Sequence, residues 1–390
     1  MKKLTDKEAA IMNVLWDRKK LNCLFSAIIA TLFVSCNSNS NLMFPTHEVD
    51  FMNKTGDVVN GNPLNIDVMG AREVLVCDTL LVILTRDHQG YFKIYSTNTH
   101  KLLADIGKQG RAKNEFNNPM SSYGYAYKED NDIILPIIDN RSTLKNINLI
   151  QSIKEETAVI ASVSDYPSIA DGNIFPLNKT PERQFIFNQA QLLSSSDECE
   201  APKYYVKDGD SKLEIKVFPK TVNADKAITV NAVYTGGFIR HPNKDIFVEV
   251  FNYMDYLFFF DFESDKYYSI HQKGSLSFDD YLDSKWSMIG DKDVYHFSSA
   301  TCTENFIIFL YGAGDYCIKA KDYDPNSTPR EILLFDWKGN YLAGAKLNVY
   351  VSSIAYDEKH KVLYGLNRRN ESVYCFDLSG LVNQYNTNSL

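Results

Sequence analysis

Along most of this chain apolar and polar positions alternate in short runs separated by polar turns. Alternation with a period of two places successive side chains on opposite faces of an extended backbone, so the runs predict β-strands. One phrase recurs: an alternating strand ends in an acidic or small polar turn and a second short strand follows. It occurs at Tyr91–Ile106, Tyr256–Ile270, Glu331–Ala345 and Ser372–Gly380. Strand-turn-strand units are also predicted at Val74–Leu84, at Ile133–Leu149 with Asp139-Asn140 as the turn, and at Ile354–Gly365. Ile228–Gly237 and Ile246–Phe251 supply further strands. No helical periodicity is sustained beyond the first 35 residues.

Self-similarity at this spacing predicts a repeat architecture, an all-β propeller. At roughly 45–55 residues for each four-stranded blade, the body suits six blades, with seven as the alternative. The first strands are placed to complete the last blade and so remove an exposed sheet edge. The expected organisation is an N-terminal extension and signal helix over 1–36, a linker and first strand region over 37–64, and the propeller over 65–390, with no internal boundary. Ser194–Pro202 and Asp322–Pro329 are polar and read as surface loops.

Composition agrees with packed strands. The chain has 390 residues, 44% of them apolar, with 24 Tyr and 23 Phe, whose rings pack well on a pleated face. Its 12 Pro and 19 Gly are too few for a disordered or collagen-like chain. The formal charge is −8; residues 1–35 hold 6 basic and 3 acidic residues, leaving 35 basic and 46 acidic in the rest. An acidic body argues against nucleic acid as a partner, since phosphate backbones need a basic surface.

The amino terminus reads as an address. Leu21–Val34 is a mostly apolar run preceded by Arg18-Lys-Lys20 and followed by Ser35-Cys36 and a polar Asn/Ser tract. A basic flank, a short apolar core and a small residue describe a secretory signal. The run is shorter than the ~20 residues of a transmembrane helix. Phe33-Val-Ser-Cys36 resembles a bacterial lipobox, with Phe where Leu is usual. The resemblance implies cleavage before Cys36, lipidation of that residue and attachment to a membrane. Plain secretion and a signal anchor are the alternatives. No acidic residue precedes Glu48 in the tract after Cys36, which favours the periplasmic face of an outer membrane. Leu4–Trp16 resembles the first helix of the BlaI/MecI winged-helix repressors but carries no recognition helix; Met12 is an alternative start.

A second resemblance concerns the body. Ile106-Gly-Lys-Gln-Gly-Arg-Ala-Lys-Asn-Glu-Phe116 is similar to a turn of NHL-like and TolB-like six-bladed propellers, with Ala112 and Lys113 where Gly-Pro is common. Glu331–Leu378 also resembles the TolB-like propeller lipoproteins of Bacteroidetes. The likeness spans about residues 65–380. It implies the fold and, by precedent, protein contacts in the cell envelope; propellers host many unrelated functions.

Motif chemistry is sparse. The sequence has no His-Glu-x-x-His, Gly-x-Ser-x-Gly, phosphate-binding Gly loop or Cys-x-x-Cys. Apart from Cys23 and Cys36, five cysteines remain: Cys77, Cys199, Cys302, Cys317 and Cys375, read as buried free thiols. A hairpin turning at Gly312–Asp315 would set Leu310 opposite Cys317, separating Cys302 from Cys317. Asp322-x-Asp-x-Asn326 opens like a calcium loop, but Ser327 and Leu333 stand where Gly and Glu are required, so no metal or other cofactor is expected. The aromatic run Phe251–Tyr268 reads as strand packing. Arg141, Arg240, His241, Arg368 and Arg369 are candidate ligand-binding residues at a blade rim or channel.

Together these readings predict a lipid-anchored envelope propeller that binds a protein or glycan partner without catalysis. One alternative is a propeller hydrolase or lyase acting on glycan or lactone-like substrates, which would need carboxylates or histidines converging on the axis. The other is a sensor or scaffold within a larger envelope complex, which would show a large apolar patch.

Overall fold

The computed structural model describes residues 42–51, 56–121, 126–140, 142–165, 173–177, 183–188, 191–192, 198–200, 202–218, 221–223, 236–278, 296–312, 330–383 and 385. The N-terminal signal segment, Cys36, Cys317, Arg141 and the loop at 322–329 lie outside them.

Six four-stranded antiparallel sheets form a six-bladed β-propeller. We name the strands a to d from the axis outward. Blade 1 comprises Ala71–Cys77, Leu80–Thr85, Phe92–Ser96 and Leu102–Ile106. In blade 2, strand a is split into Pro119–Ser121 and Tyr127–Glu129; Asp132–Asp139, Thr143–Asn148 and Ile160–Asp165 follow. Blade 3 is Asn173–Pro176, Arg183–Asn188, Lys203–Asp208 and Ser211–Ile215. Blade 4 is Gly236–Arg240, Ile246–Phe251, Tyr256–Asp261 and Lys266–Gln272. Blade 5 is Phe297–Cys302, Phe306–Tyr311, Glu331–Asp336 and Tyr341–Leu347. Blade 6 takes three strands from the end of the chain, Ser353–Asp357, Val362–Asn367 and Ser372–Asp377, and its outer strand, Gly61–Pro63, from the beginning.

The recurring phrase is the c–d hairpin of blades 1, 4 and 5 and strand c of blade 6. Its acidic residue has a local task. Asp261 accepts hydrogen bonds from the backbone N–H groups of Glu263 and Ser264, Asp336 from Lys338 and Asn340, and Asp377 from Ser379. A short carboxylate at the strand end thus satisfies turn amides that the sheet cannot reach. The fourth phrase stops at Gly380 because its outer strand is supplied by Gly61–Pro63.

Strands b and c of blades 1, 4 and 5 are buried on both faces, because these blades pack between two others. In strand 4c, Phe258 and Phe260 join Phe185 and Tyr204 of blade 3, whereas Leu257 and Phe259 join Phe309 and Phe335 of blade 5. Comparable clusters fill the junctions of blades 1 and 2, 5 and 6, and 6 and 1. Each fully buried Phe contributes about 2–3 kcal/mol. The inner strands are tied further by hydroxyls: Ser299 Oγ accepts from Ile354 N (3.1 Å), Thr301 Oγ1 from Tyr356 N (3.2 Å) and Ser353 Oγ from Val74 N (3.3 Å).

Residues 42–63 do more than close the ring. Thr46–Val49 pairs in parallel with strand 4d, Val58–Val59 in parallel with strand 5d, and Gly61–Pro63 antiparallel with strand 6c. This strap covers the outer edges of three consecutive blades and is pinned by Phe44 and Phe51, both buried. Gly61 is needed where it passes strand 6c, because a Cβ there would lie 2.5 Å from Phe376 Cε1.

Two local expectations are corrected. Strand 5b pairs with strand 5c in the register Leu310↔Ile332, so Leu310 stands opposite Ile332 and not Cys317. A short helix, Leu149–Glu155, connects strands 2c and 2d, started by Asn148, whose side chain accepts from Gln151 N. Cys77, Cys302 and Cys375 are free thiols, Cys77 fully buried and the other two partly buried; burial pushes all three up to about 12.

Candidate functional site

Because strands alternate in direction, a–b and c–d connections emerge at one end of the ring, here the lower face. The b–c and d–a connections emerge at the upper face. The four longest connections, residues 189–202, 216–235, 273–296 and 312–330, all leave and re-enter at the upper face. The lower face has mainly tight turns.

Arg368 and Arg369 lie together on the upper face, in the turn after strand 6b. Arg369 sits 5.7 Å from the ring centroid of Tyr350, and Arg330, from the start of strand 5c, lies 5.2 Å from the same ring. Tyr350 and Arg330 are both buried. Arg368 is exposed, with Glu73, Arg72 and Arg86 near enough to act on its charge. Desolvation holds its guanidinium below the usual range, opposed by the attraction of Glu73 and reinforced by the like charges of Arg72 and Arg86.

Glu73 is on inner strand 1a and accepts a 2.5 Å hydrogen bond from Ser121 Oγ of blade 2. Its carboxyl is raised, chiefly by desolvation, although Ser121, Arg368 and Arg72 act in the opposite direction. Arg72 Nη1 donates to Asn118 Oδ1 (3.4 Å), carrying the cationic cluster into blade 2.

There the loop 107–118 borders an open pocket of about 460 Å³ lined by Arg111, Lys113, Asn117, Asp139, Asn140 and Lys145, among others. The loop is held at three points: Gly110 N donates to Phe116 O, Phe116 N to Lys108 O, and Phe116 packs 5.0 Å from Phe92. Gly107 takes a φ of +83°, where a Cβ would meet Phe92 at 2.7 Å. The pocket floor is a buried ion pair. Lys145 Nζ donates to Asp139 Oδ2 (3.0 Å) and to Glu115 O, and lies 4.7 Å from the Phe116 centroid. Asp139 Oδ1 accepts from the N–H groups of Asn117 (2.9 Å) and Asn118 (3.0 Å).

Arg240 and His241 lie on the lower face, in the 4a–4b turn. Arg240 approaches Asp245 at 3.5 Å and lies over Phe247. His241 is buried, 4.7 Å from Trp337; its Nδ1 accepts from Asn243 N and Lys244 N, and its Nε2 meets Glu304 O at 3.1 Å. Burial pulls it down to about 4. These contacts join blades 4 and 5. Arg141 lies outside the described residues.

Sequence reading missed Arg72, Arg86, Arg330 and Glu73 as companions of Arg368 and Arg369. They come from separate strands, so no local signal links them. It also missed Glu249, which lies fully buried between blades 3 and 4 and accepts a 2.7 Å hydrogen bond from Tyr204 Oη. Desolvation raises Glu249 to about 8, outweighing the Tyr204 hydrogen bond. Among the described residues, no group of three or more His, Cys, Asp or Glu side chains is arranged to hold a metal. Nor is there a helix long and apolar enough to cross a membrane.

No family model and no curated protein matches the chain. Solved structures do. A member of the DUF4221 family from Bacteroides vulgatus is 10% identical, covers 84% of this chain and 98% of its own, and gives a TM-score of 0.51. A protein from Bacteroides fragilis, described as a candidate exported protein, is 9% identical over 85% of this chain and 97% of its own, with a TM-score of 0.45. Raptor from Chaetomium thermophilum is 8% identical over 81% of this chain and 29% of its own, with a TM-score of 0.45. At 10% identity the likeness to the first of these is one of fold.

Proposed function

We propose that this chain is a non-catalytic recognition module of the cell envelope that engages a protein or glycan partner with the upper face of its propeller. The observation carrying this reading is that the strand ends joined by the four longest connections all lie at one end of the ring. A rigid ring presenting loops from every blade at one end suits a concave binding surface. The lower face, with its mainly short turns, is the structural side.

The module is tethered through Cys36 after removal of the signal segment, on the periplasmic side of the outer membrane; the lipobox-like Phe33–Cys36 supports this part. Two measurements test the reading. Labelled fatty acid is incorporated by the full chain and lost in Cys36→Ala; equal labelling of both forms would refute the tether. Crosslinking in intact envelopes, from probes on residues of the upper and lower faces, captures a partner from the upper set; capture from the lower set alone would refute the recognition face.

A further inference from the structure

The arginines are segregated. Of ten in the sequence, eight are described, and six of these (Arg72, Arg86, Arg111, Arg330, Arg368 and Arg369) lie at the upper end of their strands or in upper-face connections. They come from blades 5, 6 and 1 and from the loop leading into blade 2. Only Arg183 and Arg240 lie at the lower end. The same strand ends and connections also hold Asp67, Glu73, Asp87, Glu115, Glu331 and Glu371, so what is segregated is the guanidinium group rather than net charge.

Four carboxylates of this arc are oriented by other donors. Glu371 accepts from Gly70 N, Glu115 from Ala112 N, Glu73 from Ser121, and Asp139 from Lys145 and two backbone amides. Arginine is also the suited cation here. Its planar fork matches carboxylate and sulfate in two-point contact, and its flat face stacks on rings as Arg330 and Arg369 do on Tyr350. Guanidinium groups gathered at one end of the ring attract anions.

We infer that this arc is a binding site for a ligand bearing several oxyanions, carboxylate or sulfate. The inference rests on upper-face recognition and gives it a ligand chemistry. Arginines spread over consecutive blades exceed the reach of a single carboxylate, so the ligand carries its charges at intervals. Arg368 and Arg369 form the centre, with Arg72 and Arg86 beside them; Arg330, buried against Tyr350, supports the ring that Arg369 covers. Arg111, beside Lys113 at the pocket rim, is the outlying contact.

Titration calorimetry on the full chain tests this, at low and at physiological salt. The probes are oligogalacturonate for polymeric carboxylate, chondroitin sulfate for polymeric sulfate, citrate for a free polyacid, and a neutral cello-oligosaccharide. Binding of one or more anionic probes is expected, weaker at the higher salt because exposed charges are screened. Arg368→Gln/Arg369→Gln should weaken it at least about tenfold, the scale of losing one charge-assisted contact. Arg183→Gln, on the lower face, should leave it unchanged. If the double variant does not fold, the exposed Arg86→Gln serves in its place. Citrate binding as tightly as the polymers assigns the site to free polyacids; polymer binding alone assigns it to acidic glycans. No anion binding at low salt, or equal losses in Arg183→Gln, overturns the inference. Neutral oligosaccharide binding that survives both variants overturns the oxyanion assignment and leaves upper-face recognition standing.

Discussion

Replacing Glu249 should change how stability depends on pH more than it changes the fold. The side chain lies on strand 4b between Phe247 and Phe251, which share its packing cluster with Tyr204 and Phe260. Burial there favours the neutral acid and raises the group from 4.5 to about 8. Below pH 4.5 both folded and unfolded chains carry the proton, and the stabilising contribution is fully present. As pH rises toward 8 the unfolded chain releases the proton and the folded chain keeps it, so stability is lost across that window. One pKa unit corresponds to about 1.4 kcal/mol, so the 4.5-to-8 interval amounts to an upper figure on the order of 5 kcal/mol. Glu249→Gln keeps an acceptor for Tyr204 and removes the titration. The assay is urea unfolding of both proteins at steps between pH 5 and pH 8. All other groups titrate alike in the two, so the difference isolates Glu249. The variant should gain on the parent by several kcal/mol over the range. Parallel profiles would refute the assignment of a buried neutral acid.

Three further outcomes are expected. His241 and His296 are each held near 4 by burial, so on this account the acid limb runs the other way: their contribution is present above the unfolded value near 6.5 and is lost as pH falls toward 4. His296→Phe should flatten that limb in the same unfolding series. Lys145→Met should cost about 3–5 kcal/mol by leaving Asp139 as a buried charge, and Lys145→Met/Asp139→Asn should recover part of the loss, both read from urea midpoints. Gly61→Val should lower the thermal midpoint by overpacking against Phe376, at about 1–3 kcal/mol, with the far-ultraviolet spectrum still that of a β protein.

Much of the ring is legible from the chain because the c–d hairpin repeats with its capping acid. Asp261, Asp336 and Asp377 mark blades 4, 5 and 6. Blade 2 breaks the phrase by placing Leu149–Glu155 between its last two strands; one short helix is too brief for its periodicity to stand out. The distance in sequence between strands 5b and 5c hid the true partner of Leu310, since the nearby Gly-Ala-Gly-Asp reads locally like a hairpin turn. Glu249 escaped for a different reason. In Phe-Val-Glu-Val-Phe a lone acid reads as solvent-facing, yet period two puts it on the face of Phe247 and Phe251, which packs against blade 3. The arginine arc depends on which end of each strand a residue occupies, and only the assembled ring reveals that.

The strap sets the order in which this molecule can be finished. Its residues are synthesised before any blade, yet their partners come far later. Thr46 bonds Ser269 across 223 positions, and Gly61 N bonds Asn348 across 287. Contacts so distant along the chain form slowly, because a long loop must close before they contribute. Phe44, Phe51 and the strand at Gly61–Pro63 therefore stay uncovered while blades 1 to 3 emerge. The last contact of the ring therefore locks only after strand 6c has arrived.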